Sequence, residues 1–455
     1  MKLGVLILAA GQGTRMKSAM PKVLHKIAGK PMLAHVIERA QQLHPAKIVV
    51  VYGHGGEQVR QQLSSYEVEW ALQEQQLGTG HAVMQGMHAL DSVDKVLVLY
   101  GDVPLIQADT LQHLIDASME ASIGMLTVRV DEPYGYGRIV RDEFERIIRI
   151  VEHKDASADE LTIDEINVGI MAMDRSELTT WLEALNNDNV QNEYYLTDVI
   201  DMAVNDGHVV ASVQPHSAEE VEGINDRVQL AKMERFMQRQ LAQQLMLQGV
   251  TLMDPERVDI RGSVCVGEDV TIDVNVILQG EIEIARGVSI GANSSLMNCT
   301  IGENVTILQN CVIEDAEIGS NCSIGPFARI RPGTVLNDAC HIGNFVELKN
   351  AQVDSDSKFN HLSYVGDTTV GRNVNIGAGV ITCNYDGAYK HRTVIGDNVF
   401  LGSDTQLVAP VTVESGATIG AGSTITRDVP ADQLTLSRSK QVSMADWKRP
   451  AKEKN

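Results

Sequence analysis

The residues with the clearest chemical potential directly follow the first apolar run of the chain. Positions 3–8 read LGVLIL, and the small-residue segment AAGQGTRM at positions 9–16 comes next. Small residues let the backbone approach a phosphate chain and aim N–H groups at it, and Arg15 and Lys22 could neutralise the phosphate charge. The segment lacks the third glycine of a dinucleotide fingerprint and the GK[ST] ending of a Walker loop. An ordinary glycine-containing turn is the alternative interpretation.

A carboxylate follows another apolar run, at positions 95–100. The next two residues are Gly101 and Asp102. Mg²⁺ is usually held by one or two carboxylates together with phosphate oxygens, so Asp102 could hold a metal beside a bound phosphate. An Asp beside a Gly is equally typical of a turn, and the residue alone leaves both interpretations open.

A second reactive set lies in the C-terminal half, around His361. A neutral imidazole, with a reference pKa of about 6.5, can accept a proton from an attacking amine. Arg329, Arg331 and Lys349 could hold a sugar phosphate, and Glu347 is a candidate to orient the imidazole. A lone His is more often structural. Catalysis is favoured here by further polar residues near it: Tyr364, Asn375, Asn384 and Tyr385.

The elements that position the first set alternate in the manner of an α/β fold. Strands are predicted at 3–8, 47–51, 68–72, 95–100 and 123–130, and helices at 31–43, 56–63, 80–90 and 108–119. This alternation predicts a largely parallel, Rossmann-like sheet covered by helices on both faces. Ligands of such sheets bind beyond the carboxyl ends of the strands, where the glycine-containing segment and Asp102 would meet.

One long helix is predicted after the sheet domain. Apolar residues recur at three- and four-residue steps from 226 to 248, with Asn225 as a plausible N-cap and Gly249 as a plausible stop. We therefore divide the chain into a domain at 1–227, a linker helix at 228–248 and a second domain at 249–455.

The second domain repeats every six residues from about 258 to 429. Aliphatic residues keep this phase in three runs: Val258, Val264, Val270, Val276, Ile282 and Val288; Ile318, Ile324, Ile330, Leu336, Ile342 and Leu348; Ile395, Leu401, Leu407, Val413, Ile419 and Ile425. A period of six is typical of a parallel β-helix, with one strand and one turn per repeat. We predict a left-handed parallel β-helix of hexapeptide repeats, three to each triangular coil, with these residues stacked inside.

The phase of the repeat breaks at 294–317, 349–369 and 383–394. Extra residues in a β-helix must leave the coil as loops, and loops on a rigid scaffold often carry sites. The second and third breaks contain most of the polar set around His361, so we expect loops there. A β-helix that serves only to hold three chains together is the alternative.

Composition excludes several classes of protein. The formal net charge of −22 argues against nucleic-acid binding. All six cysteines lie beyond residue 264 in no CxxC or zinc pattern, so we expect reduced core thiols and a cytoplasmic protein. No apolar run approaches about 18 residues, so no membrane insertion is expected. Positions 3–8 are predicted to be a strand rather than a signal peptide, because a phosphate loop follows them.

The complete segment after the first strand resembles a known family. L-x2-G-x-G-T-x-M-x4-P-K, from Leu8 to Lys22, is similar to the signature of sugar-1-phosphate nucleotidylyltransferases, which join a nucleoside triphosphate to a sugar phosphate and release pyrophosphate. The resemblance implies that Asp102 and Asn225 bind Mg²⁺. It also implies a binding set for UTP and the nucleotide sugar: Leu8, Ala9, Ala10, Gly11, Lys22, Gln73, Gly78, Thr79, Tyr100, Gly101, Asp102, Gly137, Glu152, Asn167 and Asn225.

The order of the parts extends the resemblance to essentially the whole chain. A uridylyltransferase-like domain, a helix and a hexapeptide β-helix together resemble the bacterial bifunctional enzymes that act as N-acetylglucosamine-1-phosphate uridylyltransferase and glucosamine-1-phosphate N-acetyltransferase. The resemblance implies a homotrimer with His361 as the general base. The glucosamine-1-phosphate residues would be Arg331, Lys349, Tyr364 and Asn375. The acetyl-CoA residues would be Ala378, Asn384, Tyr385, Ser403, Ala421 and Arg438.

The implied product is UDP-N-acetylglucosamine, a precursor of peptidoglycan and lipopolysaccharide. Acetyl-CoA would acetylate glucosamine-1-phosphate, and UTP would then donate its uridylyl group with the help of Mg²⁺, Arg15 and Lys22. Two other interpretations are weighed against this one. They are a monofunctional sugar-1-phosphate nucleotidylyltransferase with a structural β-helix, and a non-catalytic scaffold.

Overall fold

The computed structural model describes residues 1–53, 55–450 and 452. It divides into two compact units, Met1–Met237 and Gln238–Asn455. The point of division lies inside one helix, Arg227–Leu247. The domain limits predicted from the sequence, at 227/228 and 248/249, fall on either side of this point and stay a prediction.

The first unit alternates strands and helices. Its strands are β1 (Leu3–Ala9), β2 (Lys26–Ile27), β3 (Lys30–Pro31), β4 (Lys47–Gly53), β5 (Glu69–Gln73), β6 (Lys95–Tyr100), β7 (Ile123–Arg129), β8 (Arg138–Arg141), β9 (Ile147–Val151), β10 (Glu165–Asp174) and β11 (Val210–Val213). Its helices are α1 (Met32–Gln41), α2 (Glu57–Gln62), α3 (Thr79–Met87), α4 (Ala108–Glu120), α5 (Arg175–Ala184) and α6 (Asp198–Asn205), followed by α7 (Arg227–Leu247). Short 3₁₀ turns lie at Thr14–Met16, Lys22–Leu24, His88–Leu90, Glu160–Thr162 and Ala218–Val221.

The main sheet has the strand order β11-β7-β10-β6-β1-β4-β5, with β8 and β9 attached as a hairpin. Strands β1, β4, β5 and β6 are parallel, whereas β10 runs antiparallel between β6 and β7. The chain builds outwards from β1 on one side through β4 and β5, and then crosses to β6 on the other side. This reversal makes the carboxyl end of β1 a topological switch point, the place where such sheets bind ligands.

Strand β1 is buried on both faces because its residues serve two cores in alternation. Val5 and Ile7 pack with α1 residues such as Val36 in one core. Leu6 and Leu8 pack in the other core, on the opposite face of the sheet. The run of apolar residues therefore reflects a central strand of a two-sided sheet, as predicted.

The long helix begins at Arg227, and its N-cap is Asp226, one residue later than predicted. Asp226 Oδ1 accepts hydrogen bonds from the backbone N–H groups of Val228 and Gln229, at 2.8 and 2.9 Å. The prediction of Asn225 as the N-cap is therefore wrong, and its side chain is left for other contacts. The predicted stop is confirmed, since Gly249 has a φ of 97° and donates to Met246 O.

The second unit is a stack of short parallel strands. They are β12 (Thr251–Leu252), β13 (Val258–Val266), β14 (Thr271–Ile272), β15 (Val276–Ile284), β16 (Ser289–Ile290), β17 (Ser295–Ile301), β18 (Thr306–Ile307), β19 (Val312–Ile318), β20 (Ser323–Ile324), β21 (Arg329–Ile330), β22 (Thr334–Leu336), β23 (His341–Asn344), β24 (Glu347–Val353), β25 (Lys358–His361), β26 (Tyr364–Val370), β27 (Asn375–Ile376), β28 (Ile381–Cys383), β29 (Thr393–Ile395), β30 (Phe400–Leu401), β31 (Gln406–Val408), β32 (Val411–Val413), β33 (Thr418–Ile419), β34 (Thr424–Ile425) and β35 (Leu434–Thr435). A 3₁₀ turn lies at Pro255–Arg257.

These strands form two sheets. Residues in the left-handed backbone conformation, with positive φ, turn the chain from one face of the β-helix to the next. One corner is a column of asparagines, Asn275, Asn293 and Asn310, each with φ near 60°. Asn tolerates this conformation better than most residues, which explains its recurrence in the repeats. All three predicted aliphatic runs belong to one continuous core, so the stacking predicted from the six-residue period is confirmed.

One of the two predicted loops is absent from the coils. Ser295 pairs with Val312 and Glu347 with Tyr364, both 17 residues on, whereas a regular coil such as Val258 to Val276 takes 18. The prediction of a loop at 349–369 is wrong, because a coil that is one residue short shifts the phase without leaving the scaffold, and the irregular segment 294–317 has the same cause. The loop predicted at 383–394 is confirmed, since the pairing of β26 with β29 spans 25 residues and the segment between Cys383 and Thr393 leaves the coil.

Two expectations from composition are tested by the structure. Among the described residues, no helix combines the length and apolar character that a membrane crossing requires. All six cysteines are free, and Cys299, Cys311, Cys322 and Cys340 are buried in the β-helix. Cys265 is exposed, so the expectation of a core position is wrong for that residue.

Candidate functional sites

The first candidate site is a cavity at the carboxyl ends of β1, β5 and β6. Gly101 N donates to Leu8 O at 2.9 Å and thereby joins the ends of β6 and β1. The cavity has a volume of about 230 Å³. Its lining includes nine predicted nucleotide-binding residues: Leu8, Ala9, Ala10, Gly11, Lys22, Gln73, Gly78, Thr79, Tyr100; the predicted metal ligand Asp102 also lines it.

A cluster of oxygens and cations lies at one end of this cavity. Lys22 Nζ donates to Asp102 Oδ2 and, at 3.0 Å, to Asn225 Oδ1. Arg15 Nη2 donates to the same Asn225 oxygen at 2.9 Å. A carboxylate oxygen and an amide oxygen thus both contact the Lys22 ammonium group. Oxygen ligands of these two kinds are those that Mg²⁺ prefers. The two protein oxygens fit a metal site that is completed by phosphate oxygens.

Gln73 and the start of α3 also line the cavity. The Gln73 side chain is 2% exposed, and its Nε2 donates to Gly78 O at 3.2 Å. Gly78 has a φ of 109°, and a Cβ there would lie 2.6 Å from Tyr194 O, so glycine is required. Thr79 Oγ1 accepts from Leu196 N, which fixes the first turn of the helix against the following loop.

The predicted sugar-binding residues meet beside Tyr100. Asn167 N donates to Gly137 O at 2.9 Å, and Asn167 Oδ1 accepts from Gly169 N at 2.9 Å. A Cβ at Gly137 would lie 3.5 Å from Glu152 Oε1, and one at Gly169 would lie 2.6 Å from the Tyr100 ring. The three residues known only from the resemblance, Gly137, Glu152 and Asn167, therefore lie in one region of the first unit.

Burial perturbs the acidic groups in this region. Burial raises the pKa of Glu152, which accepts a hydrogen bond from Thr197 Oγ1 at 3.0 Å. Burial and the charge of Glu152 raise the pKa of Asp198 to about 6. Burial, followed by the charges of Glu152 and Asp102, raises the pKa of Tyr100. The sequence analysis missed Thr197 and Asp198, because neither lies in a recognisable motif.

The second candidate site is a column along one corner of the β-helix. His361 pairs with Asn344 on the preceding coil. Further along, Asp404 N donates to Ala378 O and Gly422 N donates to Ser403 O. Arg438 Nη1 donates to Ala421 O at 2.8 Å. The predicted base and four of the predicted acetyl-CoA residues thus occupy equivalent or adjacent positions on successive coils: Ala378, Ser403, Ala421 and Arg438.

Asn344, and not Glu347, contacts the imidazole in this chain. His361 Nδ1 lies 2.7 Å from Asn344 Oδ1. Glu347 Oε1 instead accepts a hydrogen bond from Arg331 Nη1 at 2.7 Å. The prediction that Glu347 orients His361 is therefore wrong for the single chain. An Nδ1–H donated to Asn344 leaves Nε2 of the exposed ring free to accept a proton.

A cationic group lies on the face that begins after the corner. Tyr364 pairs with Glu347, and Lys349 pairs with Gly366, on adjacent coils. The neighbouring ammonium group of Lys390 lowers the pKa of Lys349. Burial opposes ionisation of Asp367, but hydrogen bonds from Asn350 and the buried Asn384 hold the pKa of that carboxyl below its usual value.

Two predicted residues lie apart from that group. Asn375 belongs to β27 in the other sheet, where it pairs with Lys358 and Phe400. The structure therefore does not bring it together with Arg331, Lys349 and Tyr364 within one chain. Tyr385 is 62% exposed in the long loop, and its hydroxyl donates to Gly387 O at 2.6 Å. Basic residues recur after Ser437, at Arg438, Lys440, Lys448, Arg449, Lys452 and Lys454, and Lys454 lies outside the described residues.

A phosphate loop at a switch point and a hexapeptide β-helix with an exposed His define a two-part transferase. The MobA-like NTP transferase domain matches residues 5–162, and the bacterial transferase hexapeptide (six repeats) matches residues 392–427. The GMPPB C-terminal domain matches residues 260–353.

Proteins called bifunctional protein GlmU are similar to the chain from end to end. The protein from Aromatoleum aromaticum is 56% identical over 99% of both chains. That from Ralstonia nicotianae is 55% identical over 99% of both, and that from Nitrosomonas europaea is 55% identical over 100% of both. The chain belongs to the GlmU family of bifunctional proteins. The predictions of the family, of the fold class and of a uridylyltransferase combined with an acetyltransferase are confirmed.

Proposed function

We propose that the cavity of the first unit holds UTP and N-acetylglucosamine-1-phosphate, with the base at Gln73 and the phosphates at Lys22 and Arg15. The observation that carries this proposal is the convergence of Lys22, Asp102 and Asn225 at one end of the cavity. Gln73, Gly78 and Thr79 line the same cavity as Lys22 and Asp102, so a nucleotide in it can have its base at the former residues and its phosphates at the latter.

Uridylyl transfer then requires positioning and charge compensation. A phosphate oxygen of the sugar phosphate attacks the α-phosphorus of UTP, the bond to the bridging oxygen of the β-phosphate breaks, and pyrophosphate leaves. Lys22 and Arg15 offset the negative charge of the phosphates, and no covalent enzyme intermediate is needed. Asp102 and Asn225 would hold Mg²⁺, which supplies further compensation of phosphate charge when bound.

Acetyl transfer takes place along the His361 column. The amine of glucosamine-1-phosphate attacks the thioester carbonyl of acetyl-CoA, and His361 Nε2 accepts a proton from the nitrogen as the C–N bond forms. The C–S bond then breaks and the coenzyme A thiolate leaves, taking up that proton. Arg331 and Lys349 hold the sugar phosphate beside Tyr364, because Arg331 contacts Glu347, the residue that pairs with Tyr364, and Lys349 lies two residues further along the same strand. The coenzyme lies along the predicted contacts: Ala378, Asn384, Tyr385, Ser403, Ala421 and Arg438.

The acetyltransferase site is completed by a homotrimer. Asn375 faces a different sheet from Arg331 and Lys349, so a second copy of the chain is needed to bring such residues to one ligand. An exposed apolar strip follows the same corner, where Phe327, Phe345 and Leu362 are 48%, 56% and 61% exposed. A strip of this kind beside a site is typical of a surface covered by another chain. The free state of all six cysteines supports a cytoplasmic location.

Two single-residue variants test the division of labour. Asp102→Ala should lower pyrophosphate release from UTP and N-acetylglucosamine-1-phosphate by about 10²-fold or more, while thiol release from acetyl-CoA and glucosamine-1-phosphate is retained. His361→Ala should do the reverse, by about 10²–10⁴-fold. Retention of full thiol release in His361→Ala would show that the column is not the acetyltransferase site.

A further inference from the structure

The orientation of the Gln73 amide is fixed by its surroundings. Its Nε2 lies 3.2 Å from Gly78 O, and a carbonyl oxygen can only accept a hydrogen bond. The amide nitrogen must therefore be on this side of the group. The same nitrogen lies 3.0 Å from His81 Nδ1.

These two contacts assign the remaining hydrogen-bonding roles. An amide nitrogen has two hydrogens, so one is donated to Gly78 O and the other to His81 Nδ1, which acts as an acceptor. In the described part of the chain, Gln73 Oε1 has no protein partner, and Gln73 lines the cavity. The side chain therefore presents an acceptor, and not a donor, to a ligand in the cavity.

His81 is itself held in place on α3. Its ring lies 6.3 Å from the Tyr194 ring with an interplanar angle of 33°. With Nδ1 as the acceptor, the ring hydrogen is on Nε2, and the Gln85 amide group, 3.3 Å from that atom, accepts it through its oxygen after a flip of the amide. Burial lowers the pKa of His81, which favours the neutral ring whose Nδ1 can accept. A protonated ring would instead place two N–H groups facing each other.

We propose that His81 is a positioning residue for base selection: its Nδ1 holds the Gln73 amide so that Oε1 accepts the N3–H of uracil. This inference rests on the proposed placement of the base at Gln73. Cytosine has a lone pair at N3, which would face the lone pairs of Oε1. A flipped amide would remove that repulsion, and His81 together with Gly78 O opposes the flip. The site thus rejects the wrong base by leaving its polar groups unpaired.

The test compares UTP with CTP in pyrophosphate release by the full chain. His81→Phe keeps a ring against Tyr194 and removes the acceptor, and His81→Leu removes both. Each should lower the ratio of kcat/KM for UTP to that for CTP by about tenfold or more. His81→Asn offers an oxygen where Nδ1 was, and should keep the ratio within about threefold. Gln85→Ala, which removes only the contact at Nε2, is the matched control and should leave the ratio unchanged.

A purely structural role for His81 predicts a different result. It would lower the rates with UTP and CTP together, and an unchanged ratio in both His81→Phe and His81→Leu would overturn the proposal. Gln73→Ala separates this failure from failure of the proposed function. If Gln73→Ala changes the ratio and the His81 variants do not, only the role of His81 is wrong. If Gln73→Ala also leaves the ratio unchanged, the base does not lie at Gln73.

Discussion

The two sites are built on opposite principles. In the first unit, Lys22, Asp102 and Asn225 are far apart in sequence, and the sheet brings them to one enclosed edge. In the second unit, His361 and Ser403 lie on the outside of the β-helix, on coils that follow one another in sequence order. A two-sided sheet surrounds its switch point with loops of one chain, whereas a straight column of coils encloses nothing. This difference supports the proposal that the first site is complete in one chain whereas the second draws on another copy.

The largest expected effect tests this difference in completeness. Phe345→Asp places a charge in the exposed strip where the Phe327 and Phe345 rings stack at 5.3 Å. We expect the proposed trimer to dissociate and thiol release to fall more than about 100-fold, because burying an unpaired charge in an interface costs several kcal/mol. Pyrophosphate release should be unchanged. Light scattering after size exclusion gives the mass, and the two product assays give the activities.

Val190→Asp is the matched control for this substitution. Val190 is 65% exposed in the first unit, so the same change there should alter neither the mass nor either activity. A monomeric Phe345→Asp protein with full thiol release would show that one chain suffices for acetyl transfer. The contrast between the two sites would then be wrong.

The next effect concerns how each site orients its reactive group. Asn344→Ala removes the acceptor of His361 Nδ1, so the imidazole loses its fixed tautomer and orientation. We expect kcat for thiol release to fall about 10- to 100-fold, comparable to the loss of a supporting hydrogen bond at a metal-ligating His. Asn344→Asp keeps an oxygen at this position and should restore most of the rate. If both variants retain the parent rate, Asn344 does not position the base.

Asn344 also shows what the sequence could and could not predict. The six-residue period predicts the β-helix and the inward aliphatic residues, because each repeat carries its own strand and turn. It does not predict that Asn344 lies under His361, since the coil between them has 17 residues and not 18. A one-residue deletion changes the phase of the pattern without a loop, and the pattern alone does not distinguish the two. Glu347 lies nearer to His361 in the sequence than Asn344 does, and nearness in sequence is a poor guide to neighbours across coils.

For the site in the first unit, prediction from the sequence is limited in a different way. The position of Asp102 after an apolar run predicts a site at the sheet edge, because parallel strands end together. Gly137 and Asn167 have no such signal. They meet because β10 inserts antiparallel between β6 and β7 and β8 pairs with it, and strand order in a sheet is not encoded locally. Their roles came from the family resemblance alone. The contact of His81 with Gln73 likewise depends on the packing of a helix on a strand.

The smallest expected effect measures how strongly enclosure perturbs charges in the first site. The pKa of Asp198 is about 6 in the folded state, against about 3.8 for an exposed Asp. The ionised carboxylate therefore destabilises the fold above pH 6, and this cost is relieved as the pH falls from 6 towards 4. Asp198→Asn removes the charge and should stabilise the first unit by about 1 kcal/mol at pH 8, after allowance for partial exposure. The gain should shrink at pH 5.

Urea unfolding followed by tryptophan fluorescence measures this difference. Trp70 and the buried Trp181 lie in the first unit, and Trp447 is 63% exposed, so the signal reports mainly the first unit. Glu120→Gln, at an exposed position on α4 and not among the charges that raise the pKa of Asp198, is the control and should show no gain that depends on pH. An equal gain for Asp198→Asn at pH 8 and pH 5 would mean that the carboxylate ionises normally. The region around Glu152 and Asp198 would then be as open to solvent as the column of the β-helix, and enclosure would not be what separates the two sites.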